Sequence, residues 1–134
     1  MVKFIFSIFV LMLVYKAGYS QSADELYNKG NYFIKMGKMD SAMACFNESI
    51  VKDTTFYKSY HGRGIVKLAT KKYAEAIQDF NTTIRQKFNY ADAFFARGVA
   101  YLAVNNRKKA CLDFEEAYNF GLKDAKDMMQ QYCQ

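Results

Sequence analysis

At 134 residues, the chain is long enough for one small domain rather than several. Its 51% hydrophobic and 24% charged residues are ordinary for a globular protein, and the absence of proline means that no residue forbids helix outright. The net charge of +6 suits an acidic partner or an anionic surface without demanding one.

The N-terminus differs in kind from the rest. Lys3 precedes an apolar run from Phe4 to Tyr15, broken only by Ser7, and Lys16 ends it ahead of Ala17-Gly18-Tyr19-Ser20-Gln21. A charged start, a short apolar stretch and a small-residue exit predict a secretory signal peptide over residues 1–20, cut after Ser20 with Gly18 three places before the cut. Cleavage after Ala17 is the second choice. An uncleaved membrane anchor is the alternative reading, but a spanning helix needs about 20 apolar residues and Lys16 comes too early. No Cys lies near the cut to carry a lipid. Without residues 1–20 the chain loses Lys3 and Lys16 and keeps 17 basic and 13 acidic residues, a net charge of +4.

Residues 21–134 divide into three units with one period. Gly30, Gly64 and Gly98 are 34 residues apart; so are Ala42, Ala76 and Ala110, and Phe46, Phe80 and Phe114. The units run 23–56, 57–90 and 91–124. Apolar residues recur at helical spacing in each half-unit: Leu26, Phe33 and Met36; Ala42, Phe46 and Ile50; Ala76, Phe80 and Ile84; Phe94, Tyr101 and Val104. First helices are expected near 23–36, 57–70 and 91–104, second helices near 39–52, 73–86 and 107–119. Gly and Ala are expected where two helix backbones approach closely, and Phe between one helix pair and the next. After Gly121, the stripe Leu122, Ala125, Met129 and Tyr132 predicts a capping helix over about 123–132, with Lys123, Asp127 and Gln130 facing away. A fixed period of this length means stacked units that cannot bury their apolar faces alone.

These units resemble tetratricopeptide repeats. Numbering each unit from its first residue (Ala23, Tyr57, Ala91), place 4 holds Leu26, Tyr60 and Phe94, place 8 the three glycines, place 20 the three alanines, place 24 the three phenylalanines, and place 27 Ser49, Thr83 and Ala117. Place 11 is aromatic in Phe33 and Tyr101 but is Lys67 in the middle unit. Thr54, Phe88 and Leu122 stand where the family usually has Pro, so helix starts there are expected to be less sharply set. The resemblance implies an all-α solenoid of three helix pairs plus the cap, acting as a non-enzymatic protein-interaction module.

In that family the first helices line a concave face that holds peptides or short helices. The positions carried over are Asp24, Tyr27, Asn31, Ile34 and Lys35; Lys58, His61, Ile65, Leu68 and Ala69; Asp92, Phe95, Val99, Leu102 and Ala103. The partner-binding set is Tyr27, Asn31, Lys58, His61, Ile65, Phe95 and Val99, with Phe95 as the anchor; Leu68 and Leu102 read equally well as core. One subtype clamps the C-terminal carboxylate of chaperones with Lys and Asn. Here Asn31 matches, but Tyr27, Gly62, Asp92 and Ala96 stand at the other clamp positions, so the clamp is essentially absent.

The turns inside the repeats fall on one edge of the stack. They carry Lys35, Lys38, Lys71, Lys72, Arg107, Lys108 and Lys109 against Asp40 and Glu75, a local charge of +5. Such an edge is either a solvated face or a contact for phospholipid, lipopolysaccharide or an acidic protein; nucleic acid is disfavoured by the export signal and the lack of a binding motif.

Chemistry is sparse. His61 has neither a nucleophile nor further ligands at any motif spacing, and reads as an ordinary helix residue. Gly62 and Gly64 sit within a helical pattern and make no phosphate loop. Neither a catalytic set, nor a metal site, nor a cofactor is expected. Asn47-Glu48-Ser49 and Asn81-Thr82-Thr83 match the glycosylation acceptor but fall inside predicted helices and carry no weight. The spacing of Cys45, Cys111 and Cys133 fits no zinc motif. Cys111 and Cys133 come level across the Gly121 turn, and the closing stretch resembles the end of small exported repeat proteins of Bacteroidota-type bacteria; both imply a Cys111–Cys133 bridge, with small buried apolar residues as the alternative. Cys45 reads as a buried free thiol.

Taken together these features predict an exported adaptor of the periplasm or cell envelope, or a secreted one, whose partner is another protein. The alternatives are a self-assembling oligomer joined through its repeat ends, and an accessory subunit that meets envelope lipid through its basic edge.

Overall fold

The computed structural model describes residues 20–134, so the expected signal peptide lies outside the described residues apart from Ser20. Seven helices follow in order: α1 Ala23–Lys35, α2 Met39–Lys52, α3 Tyr57–Ala69, α4 Tyr73–Gln86, α5 Ala91–Ala103, α6 Arg107–Asn119 and α7 Ala125–Tyr132. Among the described residues there is no strand, and no helix is long and apolar enough to cross a membrane. The helices stack in chain order: α1/α2, α3/α4 and α5/α6 form antiparallel pairs, and each second helix packs on the first helix of the next pair. The first helices also meet one another, α1 against α3 and α3 against α5.

Local chemistry sets the ends. Ser22 caps α1, accepting from the amide of Glu25 at 3.1 Å while the Glu25 carboxylate accepts from the amide of Ser22 at 3.0 Å. Neither α3 nor α5 has a side-chain cap at its start, where the family's Pro is missing. Every first helix ends the same way. The amide of Lys38 reaches back to the Phe33 carbonyl, that of Lys72 to Lys67 and that of Asn106 to Tyr101, at 2.9, 2.8 and 2.8 Å. This closure needs a left-handed residue just before the donor. Gly37, Lys71 and Asn105 fill that place with φ of 71°, 63° and 60°. Only glycine adopts this region without strain, and Asn tolerates it better than Lys.

The core is built around three rings. Phe46, Phe80 and Phe114 are fully buried, as are Ala42, Ala76 and Ala110. The glycines make room for these rings, where the sequence suggested close helix backbones. A Cβ on Gly30 would lie 2.6 Å from Phe46, one on Gly64 2.6 Å from Phe80, and one on Gly98 2.7 Å from Phe114. Phe46 also meets the next pair, since a Cβ on Gly62 would lie 2.5 Å from the same ring.

The capping helix begins at Ala125 rather than at 123, after a turn in which the amide of Ala125 bonds to the Leu122 carbonyl at 3.1 Å. Its start is 34 residues beyond that of α5, so the cap occupies the position of a fourth first helix. Ala125 is fully buried, and Leu122, Met128, Met129 and Cys133 pack on the Phe114 cluster. Lys123, Lys126, Asp127 and Gln130 are exposed, giving the outer face the polarity that a terminal unit needs.

Candidate functional site

The face formed by α1, α3 and α5 carries the residues expected there. Tyr27, Asn31, Lys58, His61, Ile65, Phe95 and Val99 are all half-buried. Asp24, Lys35, Ala69, Asp92 and Ala103 are exposed. Ile34, Leu68 and Leu102, also half-buried, flank the core: Ile34 packs on the Phe46 cluster, Leu68 on Phe80 and Leu102 on Phe114. The same holds for part of the expected contact set. Tyr27 leans on Phe46 with ring centroids 6.0 Å apart, and Phe95 on Phe114 at 5.6 Å. Phe95, an expected contact residue, is therefore also a support of the core.

His61 sits between Phe80 at 5.9 Å and Tyr90 at 5.1 Å, edge-on to the latter. Burial pushes its imidazole below the ordinary range, with Asp92 pulling the other way. Its Nε2 is buried without a hydrogen-bond partner among the described residues. No group of three or more His, Cys, Asp or Glu among those residues could hold a metal ion.

A polar ladder that the sequence reading missed crosses the stack. Arg63 donates to Asp79 through Nε at 2.9 Å and Nη2 at 2.8 Å, and through Nη1 to Asn47 of the preceding pair at 2.9 Å. Arg97 repeats this with Asp113 at 2.9 and 2.7 Å and with Asn81 at 2.7 Å. The signal was present, since all three residue types recur at the 34-residue period. Lys67, the departure at place 11, joins the first rung: its ammonium is 2.9 Å from Asp79 and 3.8 Å from Glu75. In the third repeat Tyr101 holds that place, with the Arg97 guanidinium 5.9 Å and the Lys109 ammonium 5.4 Å from its ring centroid. Phe94, Arg97, Tyr101 and Leu112 border a surface pocket of about 330 Å³ there.

The basic edge is exposed at Lys35, Lys38, Lys71, Lys72, Arg107, Lys108 and Lys109, none of which joins the ion pairs found among the described residues. Cys111 and Cys133 are bonded, with their Cα atoms 5.6 Å apart, which ties the end of α7 to the first half of α6. Cys45 is buried and unbonded, and burial is the main cause that pushes its thiol up.

The family model described as "Tetratricopeptide repeat" matches residues 24–50. Solved structures match over most of the chain. The first TPR of Spaghetti (RPAP3), bound to the HSP90 peptide SRMEEVD, is 27% identical with a TM-score of 0.81, over 87% of this chain and 94% of that one. The second TPR of the same protein, bound to the same peptide, is 30% identical with a TM-score of 0.72, over 75% and 93%. The second TPR domain of human RPAP3, in complex with the HSP70 peptide SGPTIEEVD, is 28% identical with a TM-score of 0.77, over 84% and 95%. No curated protein matches the sequence.

Proposed function

Because the chain belongs to the tetratricopeptide repeat family, we propose that it is a non-enzymatic adaptor of the bacterial cell envelope that holds a peptide or helical segment of another protein against α1, α3 and α5. One observation carries this reading: the face that these helices build presents a continuous row of half-exposed residues, from Tyr27 and Asn31 through His61 and Ile65 to Phe95 and Val99, on a stack that superposes on peptide-bound domains. The ligand differs from the acidic peptides in those complexes, since Tyr27, Gly62, Asp92 and Ala96 stand where a carboxylate clamp needs Lys, Asn or another cation.

Export is part of the proposal. It is supported by the pattern of residues 1–20 and by the Cys111–Cys133 bridge, of a kind that persists in oxidising compartments. Intact-mass measurement of the native protein tests it: a chain beginning at Gln21 is expected, and one beginning at Met1 refutes it.

The groove is tested by capture from envelope extract with the protein as bait. Phe95→Ala is expected to weaken the captured partner by about 2 kcal/mol or more, and Asn31→Arg, which leaves the core alone, to weaken it too. Lys108→Ala with Lys109→Ala is expected to act chiefly on the association rate at low salt while largely sparing affinity. Loss of binding in the lysine pair alone makes the basic edge the working surface. That second reading is favoured by its seven exposed cations outside the ion pairs and would suit an anionic membrane surface. Self-association through the ends is a lesser reading, because the outer face of α7 is polar while the first repeat exposes Tyr32 and Met36.

A further inference from the structure

The N-terminal ends of α3 and α5 bring together side chains far apart in sequence. Tyr57, the first residue of α3, meets Tyr90, which precedes α5, edge to face with centroids 5.2 Å apart. His61, one turn along α3, meets the same ring edge to face at 5.1 Å. Tyr27 of α1 packs edge-on against Phe56, the residue before Tyr57, at 5.8 Å. Asp92, the second residue of α5, stands two positions after Tyr90 in the chain. The rings are half-buried, while Asp92 is exposed and joins no ion pair among the described residues.

This arrangement resists a second negative charge. Burial first, then Asp92, Tyr27 and Tyr57, push the Tyr90 phenol up to about 12, so it stays neutral. His61 is kept neutral, chiefly by burial. Aromatic rings attract a cation to their faces, and a carboxylate beside them adds Coulomb attraction. Two features oppose this: the partial positive charge at the start of α5, which Asp92 offsets from its first turn, and Lys58, next to Tyr57. The Lys58 ammonium pairs with neither Asp24 nor Asp92 within 4 Å, and its flexible stem leaves the head free to turn to water.

We propose that the cluster of Tyr27, Tyr57, His61, Tyr90 and Asp92 takes a lysine or arginine side chain of the bound segment. This rests on the groove reading above and reverses the sign of the ligand relative to the acidic peptides of the similar domains.

Random dodecapeptides displayed on phage and selected against the protein supply the probe. The enriched sequences are expected to share a Lys or Arg. A synthetic peptide of that sequence should bind Asp92→Asn about tenfold more weakly than the wild type. Replacing its basic residue by a neutral isostere should cost the same factor on the wild type and little more on Asp92→Asn, the mark of a direct pair. Lys126→Ala, on the exposed face of the cap, should leave binding unchanged. Peptides that are weakened by Asn31→Arg but lack a basic residue, or ignore Asp92→Asn, overturn the basic-ligand assignment and leave the groove standing. Peptides indifferent to Asn31→Arg and Asp92→Asn alike, or failure to enrich any peptide, overturn both.

Discussion

Gly62 and Phe46 belong to different repeats, yet a Cβ on Gly62 would stand 2.5 Å from the Phe46 ring. Phe46 is fully buried and also touches Gly30, so its ring has nowhere to move. The pair links α2 to α3 and thereby couples the first repeat to the second. Gly62→Ala gains up to about 1 kcal/mol of helix propensity but overpacks the ring, which typically costs about 1–3 kcal/mol. A net loss of stability in urea titration is expected; a gain would mean that the two helices part easily.

Ala76 and Ala74 provide a cleaner comparison. Ala76 is fully buried against the Phe80 ring, whereas Ala74, two residues earlier on the same helix, is exposed. Ala76→Leu is expected to cost about 1–3 kcal/mol, and Ala74→Leu to stay within about 0.5 kcal/mol. Equal thermal midpoints would contradict the helix register.

Apolar periodicity was what made the fold legible. Gly, Ala and Phe at fixed places revealed the pairs, and the structure places each helix within a residue or two of where that spacing put it. The cap is legible from its own apolar stripe and also from the period, since Ala125 lies 34 residues after Ala91. The site was less legible because its parts are tertiary. Tyr57 and Tyr90 hold places without a family pattern and meet only because the first helices lie side by side. Arg63 and Asp79 are on different helices of a pair, 16 residues apart, a spacing that no single-helix pattern displays. Lys67 breaks an aromatic column in the sequence, and its role depends on a tertiary contact with Asp79.

Lys71 offers a test in the stabilising direction. Its φ of 63° is strained for any residue with a side chain, and its equivalent in the first repeat is Gly37. Left-handed backbone costs about 1–2 kcal/mol for such a residue, and the greater freedom of unfolded glycine returns about 0.5–1 kcal/mol. Lys71→Gly should raise stability by about 0.5–1 kcal/mol; a lower thermal midpoint would contradict the turn geometry.

The Cys111–Cys133 bridge closes a loop with a sequence separation of 22. In the chain-entropy model such a loop contributes about 3 kcal/mol. Cys133→Ser should lower stability by about that amount and expose the Phe114 cluster beneath α7 to hydrogen exchange. Non-reducing peptide mapping that finds both thiols free in the native protein would refute the bridge.

The central claim is that the face of α1, α3 and α5 holds the partner. Backbone amide shifts, recorded as the captured partner segment is titrated into the protein, test it most directly. Changes are expected to centre on Asn31, His61, Ile65, Asp92 and Val99, with Lys71, Lys72 and Arg107 to Lys109 little affected. Changes confined to those turns, with the groove amides unmoved, would contradict it.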